Sequence, residues 1–361
     1  MTLVIDRKNE NRYVDLTDIL VTVPRVVGLT GALGLFTDNY LSLKTIEIAR
    51  VSHKSHILKD SNWDSQQHTI VERPVRGFLT AKVPHFAVRD AIKPSDIDGV
   101  AKFNDIFEAA GLEAVDDVRI EKATAIRSMH DLTMEVARMQ LLTKGTVYAP
   151  NGTLAQTYGD TIDWYQEFGE TRKTFDLELS GAADPRISAS KVERAMRMAL
   201  RNFNGGQFSR IVVLCGTNYF DAVYTNPFVT DAVKVAQLNL AELLLLGKPG
   251  TESGFDANFR TLTFWGLTFV DCGTAGYDAP NGDWVQYIDE DDAIAVPMGV
   301  RGMFKTHFAP ANTFTSINKK SQGSYYAERI NEEDDLIMIK SEQNFLNVLM
   351  VPGAVFDLTK S

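Results

Sequence analysis

One stretch, from about Leu112 to Gly145, constrains the fold most because it predicts a single helix of unusual length. Apolar residues recur along it mostly three or four positions apart, as on one face of a helix. They are Val118, Ile126, Met129, Leu132, Val136 and Met139. Acidic residues near the start and Lys144 at the end suit the helix dipole, and Gly145 can adopt the left-handed conformation that ends helices. Such a helix, about 45 Å long, braces an elongated subunit or, alternatively, crosses the core of a large enzyme.

Composition places the chain among globular proteins. Its 361 residues are enough for two or three folding units, and 44% are hydrophobic. The net charge of −10 argues against non-specific nucleic-acid binding, which depends on Lys and Arg neutralising phosphates. Two cysteines without a paired spacing fit a reducing cytosol. Neither a secretory signal nor an apolar run long enough for a membrane span is expected.

The first hundred residues lack the apolar content of an independent domain. Residues 1–57 predict an extended arm or, alternatively, an irregular first strand and loop of an ordinary domain, because Pro and Gly interrupt each short apolar run. Residues 58–100 predict a charged hairpin whose strands are Thr69–Val75 and Phe78–Val83. A two-stranded ribbon is marginal by itself in water. We therefore expect it to pack on its own body or on another subunit, with a floppy surface hairpin as the alternative.

Beyond the long helix, local signals predict a hairpin and then a small α/β unit. Asn151-Gly152 is typical of a tight turn, and residues 170–186 form a polar boundary. Ser190 and Glu193 form a capping box that starts a helix. The helix has one apolar face, with its methionines expected in the core, and ends at Gly205-Gly206. These apolar residues are Val192, Met196, Met198, Ala199 and Phe203.

The remaining strands complete this reading of the chain. Arg210–Gly216 predicts a buried strand that contains Cys215, and two strands fold back at Gly266 before Cys272. The last 60 residues are mostly β. We expect residues 146–170 to pair with these strands, which makes residues 186–300 an insertion.

Signatures of catalysis and of metal binding are missing. The chain contains no Walker A motif, no GxGxxG after a strand and no GxSxG elbow. His53, His56 and His68 lie in a polar extended region, where a metal site is not expected. The acidic runs 289–292 and 332–335 lack the spacing of a calcium loop and are interpreted as solvated turns. The prediction is a protein without catalytic, cofactor-binding or metal-binding residues, and not an enzyme.

Three segments resemble a known family. They are RPVRGFLTAKVPHFAVRDAIKPSDIDG at 73–99, the long helix with KGTVYAPNGT at 144–153, and the tail from AVPMGVRGMFKTHFAPANTF to IMIKSEQNFLNVLMVPGAVFDL. Their order resembles the major capsid protein E (lambda head protein-like) family of tailed bacteriophages. One departure is the absence of an NPLP-like core at 344–347, where this chain reads Asn-Phe-Leu-Asn.

The resemblance implies an α+β Hong Kong 97-type capsid fold. Its parts are an N-terminal arm (1–57), an E-loop hairpin (58–100), a peripheral domain (101–185) with the spine helix at about 112–145, an inserted axial domain (186–300) and peripheral return strands (301–361). The E-loop then lies over a neighbouring subunit, with Arg73, Arg76 and Lys82 as its candidate contact residues.

The implied function is that of a major capsid protein. Pentamers and hexamers build an icosahedral shell around double-stranded DNA, which is cargo without specific binding. Expected partners are the chain itself and scaffolding, portal and decoration proteins, with no membrane and no cofactor. The expected location is the virion, after assembly in the host cytoplasm. An encapsulin-like compartment shell and, less favoured, a soluble α/β enzyme remain alternatives.

Overall fold

The structure is a computed structural model that describes residues 14–15, 28–52, 75–97, 110–150, 162–180, 184–235, 259–278, 283–331 and 336–361. The helices are α1 (Leu29–Leu33), α2 (Pro94–Ile97), α3 (Ala110–Lys144), α4 (Trp164–Phe168), α5 (Pro185–Asn204), α6 (Thr217–Tyr224) and α7 (Pro227–Val235). The strands are β1 (Val14–Asp15), β2 (Thr37–Tyr40), β3 (Thr45–Ser52), β4 (Val75–Lys82), β5 (Ala87–Ile92), β6 (Lys173–Asp176), β7 (Arg210–Cys215), β8 (Thr261–Phe264), β9 (Leu267–Asp271), β10 (Gly276–Asp278), β11 (Trp284–Gln286), β12 (Ala293–Met298), β13 (Phe304–Ala309), β14 (Tyr325–Asn331), β15 (Leu336–Glu342), β16 (Asn344–Leu349) and β17 (Phe356–Thr359).

The predicted long helix is confirmed. α3 has 35 residues, and Gly145 follows it with a φ of 71° and donates its N–H to the Leu141 carbonyl. The predicted apolar stripe is only partly buried. Val118, Ile126, Val136 and Met139 are buried, whereas Met129 is 47% exposed and Leu132 is 41% exposed.

The six-stranded sheet has the order β6-β17-β12-β7-β9-β8 and forms the centre of the main core. β7 is buried and carries Cys215, and Cys272 follows β9; both thiols are free, and burial raises their pKa. The turn at Gly266 is confirmed: Trp265 and Gly266 both have positive φ, which matches the right-handed twist of the paired strands.

The start of α5 differs from the prediction. The helix begins at Pro185 and is capped by Asp184, whose side chain accepts from the Arg186 N–H at 3.0 Å, so Ser190 lies inside the helix. The helix starts at Asp184-Pro185 and not at Ser190 because proline fits the first helical position and aspartate is a favourable N-cap residue. Gly205 ends the helix with a φ of 63°, as predicted.

Most of the predicted apolar face of α5 is confirmed, since Val192 and Met196 are fully buried. Phe203, at the end of the helix, is 39% exposed, and Met198 is 66% exposed, so the core assignment of Met198 is wrong. Ala189 and Leu200 lie in the core as well.

The predicted hairpin of 69–75 with 78–83 is wrong. β4 is one continuous strand from Val75 to Lys82, and it pairs antiparallel with β3. The apolar residues of β4 are few because half of the apolar face of the ribbon comes from β3, which the sequence analysis assigned to the arm. Residues 69–74 lie outside the described part of the chain.

The segment after α3 returns on itself before reaching the sheet. Thr146 bridges Asp163 antiparallel, and the Asn151-Gly152 turn between them lies outside the described residues. The strand that pairs with the end of the chain is β6, parallel to β17, and not residues 146–170 as predicted. The six-stranded sheet therefore contains strands from both sides of residues 186–300.

Two further sheets flank α3. One has the order β1-β14-β15-β5, and its apolar face packs on the first half of α3 through Val118, Ala123 and Ile126. The other has the order β16-β13-β2, and β16 is a regular strand despite its departure from the NPLP-like core. None of the helices in the described part of the chain has the length and apolarity needed to cross a membrane.

Candidate functional site

Where side chains of the β3–β4 ribbon are described, at residues 45–48 and 79–82, exposed residues alternate with buried or half-buried ones. Ile48 and Ala81 lie in the main core, while Glu47, Thr80 and Lys82 are exposed. The Val83 N–H donates to the Lys44 carbonyl at 2.9 Å and closes the base of the ribbon. The base of the ribbon is therefore fixed to its own subunit, and its outer side is open to a partner.

The predicted contact residues fall on this ribbon only in part. Lys82 is exposed, opposite Thr45. The backbone of Arg76 lies opposite Val51, six positions from Lys82 on the same strand, or about 20 Å away. Arg73 lies outside the described residues.

The first half of α3 has an open face. This open face consists of Glu121, Ala125, Ser128, Met129 and Leu132, all exposed. The opposite side of the same half is fixed by buried polar contacts. Arg119 lies 3.1 Å from Glu328, and Tyr326 donates its hydroxyl hydrogen bond to the same carboxylate at 3.0 Å.

His130 continues this buried polar contact toward the middle of α3. Its Nε2 lies 2.9 Å from the Ser341 hydroxyl on β15. Burial, reinforced by the Arg127 charge, lowers the pKa of His130 to about 4. The ring is therefore neutral at physiological pH, as a buried contact without an acidic partner requires.

Glu135 joins the second half of α3 to the base of the arm. Its carboxylate accepts from the Thr30 N–H at 2.8 Å and from the Thr30 hydroxyl at 2.5 Å. Burial raises the pKa of this carboxyl, against the opposing effect of the Thr30 hydrogen bonds. A side chain at Gly28 would collide with Glu135, because the backbone at Gly28 lies very close to α3.

Arg138 makes the second connection between α3 and the arm. Its guanidinium lies 3.1 Å from Asp38 on β2, donates to the Thr306 hydroxyl at 3.0 Å, and stacks 4.8 Å from the centre of the Phe36 ring. Glu135 and Arg138 were not predicted from the sequence. Their position, two charged residues within the most apolar part of the helix, was the available signal of buried polar contacts.

The loop between β13 and β14, residues 310–323, carries an exposed aromatic side chain. Phe314 is fully exposed and Ile317 is half-exposed. The loop is nevertheless braced: the Asn312 N–H donates to Glu342 at 2.7 Å, and the Ser321 N–H donates to the Leu41 carbonyl at 2.8 Å. Sequence reasoning missed it because FAPANTF contains no signal that distinguishes an exposed Phe from a buried one.

The acidic turn, residues 289–292, is exposed, as its interpretation as a solvated turn predicted. The backbone of the turn is hydrogen-bonded to the start of α6. The Gly216 N–H donates to the Asp292 carbonyl at 2.9 Å and the Tyr219 N–H to the Glu290 carbonyl at 3.1 Å. The second acidic run, 332–335, and the histidines 53, 56 and 68 lie outside the described residues.

A cavity of about 590 Å³ lies between the end of α3 and the sheet that contains β12 and β17. Asp289, Asp292 and Asp357 line it. Burial, and next the nearby Asp289 charge, raises the pKa of Asp292. Asp357 on β17 forms an ion pair of 2.5 Å with Arg172, the residue before β6, and so links these two neighbouring strands.

Known proteins that are similar to this chain include coat proteins of phages. A family model described as phage major capsid protein E matches residues 13–360. The chain is 30% identical to the major capsid protein of Pseudomonas phage KPP10 over 349 residues, which cover 96% of each protein.

Solved structures show the same fold at low identity. A prophage protein of Escherichia coli CFT073 that is assigned as a capsid protein aligns with a TM-score of 0.56 at 9% identity, over 97% of this chain and all of that chain. A phage-related protein of Bordetella bronchiseptica RB50 aligns with a TM-score of 0.51 at 10% identity, over 96% and 98% of the two chains.

These matches identify a structural protein of a virion and not an enzyme, and they favour a phage coat over an encapsulin-like compartment. The resemblance noted from the three sequence segments is confirmed, and so is the predicted α+β capsid fold of Hong Kong 97 type. The chain belongs to the phage major capsid protein E family.

Proposed function

We propose that this coat subunit assembles as pentamers and hexamers that close into an icosahedral head around double-stranded DNA. The observation that carries the proposal is the β3–β4 ribbon, which is fixed at its base by Ile48 and Ala81 and exposed along its outer side. Such a ribbon has little stability by itself, since two strands alone are marginal in water. A second subunit that covers its outer side would stabilise it.

The strand pairing supports the following division of the chain. We place the E-loop at residues 45–82, because β3 and β4 are its two strands, and the arm before it. Residues 186–300 form the axial domain, whose sheet β6 and β17 complete. The peripheral domain comprises residues 101–185 and 301–361 and contains α3 with β14 and β15.

The outer side of the ribbon lies on the open face of α3 in a neighbouring subunit. Met129 and Leu132, half-exposed in a single subunit, become buried there. Arg73, Arg76 and Lys82 supply charge along the ribbon, and the exposed Glu121 on the open face offers a partner of opposite sign. Complementary charge at such a contact favours correct register and fast encounter.

Electron microscopy of the purified wild-type protein tests the function directly. Closed shells with five-fold and six-fold clusters are the expected result. A monodisperse small oligomer under assembly conditions would contradict the proposal.

The contact residues are tested by Lys82→Glu, with Lys82→Arg as the matched control that keeps the charge. We expect the glutamate variant to fold with unchanged thermal stability and to lose at least ten-fold in shell yield, while the arginine variant assembles normally. Shells formed by Lys82→Glu at wild-type yield would exclude Lys82 as a contact and leave the coat function standing.

The remaining partners concern the assembly pathway. A scaffolding protein, a portal and a decoration protein act with the subunit in the host cytoplasm, and DNA is enclosed without sequence-specific contact. The net charge of −10 supports the last point, since an acidic shell does not hold DNA that must move past it. Mass spectrometry of purified particles checks these partners, and a protein cargo in place of DNA would contradict the proposal.

A further inference from the structure

The outer face of α5 carries a stripe of residues that the fold does not use. They are Ile187, Lys191, Arg194, Met198 and Arg201, spaced four, three, four and three apart. This spacing places all five on one side of the helix, and all five are exposed. The opposite side buries Val192, Met196 and Leu200 in the main core, so the stripe faces away from its own subunit.

The charge of this stripe is uncompensated within the subunit. Arg186 and Arg197, on the flanks of the stripe, are paired with Asp184 and Glu193. Among the described residues, no ion pair joins Lys191, Arg194 or Arg201 to a carboxylate. The stripe therefore presents three cations and two apolar side chains on a protein whose net charge is −10.

The acidic turn, residues 289–292, has the opposite properties. Its four acidic residues are exposed, and Asp291 forms an ion pair of 2.6 Å with Lys360. Hydrogen bonds to α6 fix the backbone of the turn. The turn lies at the strand ends where β7 ends and β12 begins, whereas α5 packs its apolar side on the main core. The two surfaces are therefore different parts of the subunit.

We propose that the stripe on α5 binds the acidic turn of a second copy of this chain in the ring around the centre of a capsomer. The inference rests on the proposed function and names the surfaces of one contact in it. A contact between two different surfaces is head-to-tail, and such contacts close into rings when the rotation permits. Ile187 and Met198 lose their exposure in this contact, and the opposite charges select the register.

A charge swap tests the pairing. Arg194→Glu and, separately, Glu290→Lys each place like charges opposite each other, so each is expected to reduce shell yield at least ten-fold with an unchanged melting temperature. The double variant restores the opposite charges and is expected to recover assembly to within about three-fold of wild type. Arg194→Lys, the matched control, assembles normally.

Each contrary result overturns the pairing. Normal shells from Arg194→Glu would exclude the stripe as a contact, and a double variant as defective as either single variant would exclude the acidic turn as its partner. Normal shells from Arg194→Glu that fail to retain DNA would identify nucleic acid as the occupant. A wild-type preparation without shells would overturn the proposed function, and the pairing with it.

Cross-linking provides a second readout that does not depend on charge. With Arg194→Cys and Glu290→Cys in one chain, a short bismaleimide is expected to join neighbouring copies into a ladder up to the hexamer. The native Cys215 and Cys272 are buried and stay unreactive, so the unmodified chain is the control. A double-cysteine variant that assembles but yields only monomers on the gel would overturn the proposal.

Discussion

The two halves of α3 have opposite relations to the rest of the subunit. Among the described residues, 117–132 are covered on one side only, where Val118, Ala123 and Ile126 pack in an apolar cluster beside polar contacts such as Arg119 with Glu328. Residues 134–142 are buried on nearly all sides, with Leu141 and Leu142 in the main core. We call residues 117–132 the platform half of α3, or the platform, and residues 134–142 its anchored half, or the anchor. The difference agrees with the proposed contact between the exposed side of α3 and a neighbouring subunit.

The platform half depends most on its buried charge pair. We expect Arg119→Ala to lower the free energy of unfolding by about 3–5 kcal/mol, because the Glu328 carboxylate is then buried without its cation. Urea unfolding of the unassembled subunit measures the change, and Glu121→Ala on the exposed side is the control, with a change within about 0.5 kcal/mol. A loss below about 1 kcal/mol for Arg119→Ala would mean that polar contacts do not hold this half.

The anchored half is tested by a cavity. Leu142 is fully buried, so Leu142→Ala is expected to cost about 2–5 kcal/mol. The same substitution at Leu132, which is 41% exposed, is expected to cost under about 1 kcal/mol. Equal costs at the two positions would remove the distinction between platform and anchor.

The buried histidine of the platform predicts a loss of stability in acid. The folded pKa of His130, about 4, lies below the ordinary value of 6.5, so the unfolded chain binds the proton first as pH falls. Stability is fully present above about pH 6.5 and declines toward pH 4 by up to about 3 kcal/mol.

Comparison of urea unfolding at pH 7 and pH 4.5 for wild type and His130→Gln checks this. The glutamine variant keeps a hydrogen-bonding amide but does not titrate, so its pH dependence is expected to be smaller by most of that amount. His307, whose pKa burial also lowers to about 4, is present in both proteins and cancels in the difference. Identical pH dependence in the two proteins would contradict the assignment.

The smallest stability effect and the clearest assembly effect are expected on the open face of α3. Met129→Ser with Leu132→Ser changes the unfolding free energy of the subunit by under about 1 kcal/mol, since both side chains are already half-exposed. Shell yield, measured by sedimentation and electron microscopy, is expected to fall several-fold. Normal assembly would show that no neighbour covers the platform.

Local signals in the sequence predicted local structure well. The extent of α3, the buried strand at β7 and the turn at Trp265-Gly266 each follow from a pattern within a few residues. The pairing of β3 with β4 could not be predicted in the same way, because their partners are separated by at least 22 residues and neither strand alone has a full apolar face. At α5, two adequate start signals competed, and the sequence analysis chose the weaker.

The candidate site was accessible to sequence reasoning only in part. Lys82 was placed on an exposed ribbon correctly, although with the wrong partner strand. The exposed Phe314 and Met198 could not be anticipated, since apolar side chains are expected in the core unless the packing of the whole subunit is known. In a coat protein the missing information is the second subunit, which covers residues that a single chain leaves open.

The position of β17 has a consequence for synthesis of the protein. Residues 356–359 lie between β6 and β12 inside the six-stranded sheet, 180 or more residues after the first of these strands in the sequence. Before this segment is available, β6 cannot join the sheet, because β17 lies between β6 and β12. The six-stranded sheet is therefore completed only after residues 356–359 have been synthesised, long after β6 itself.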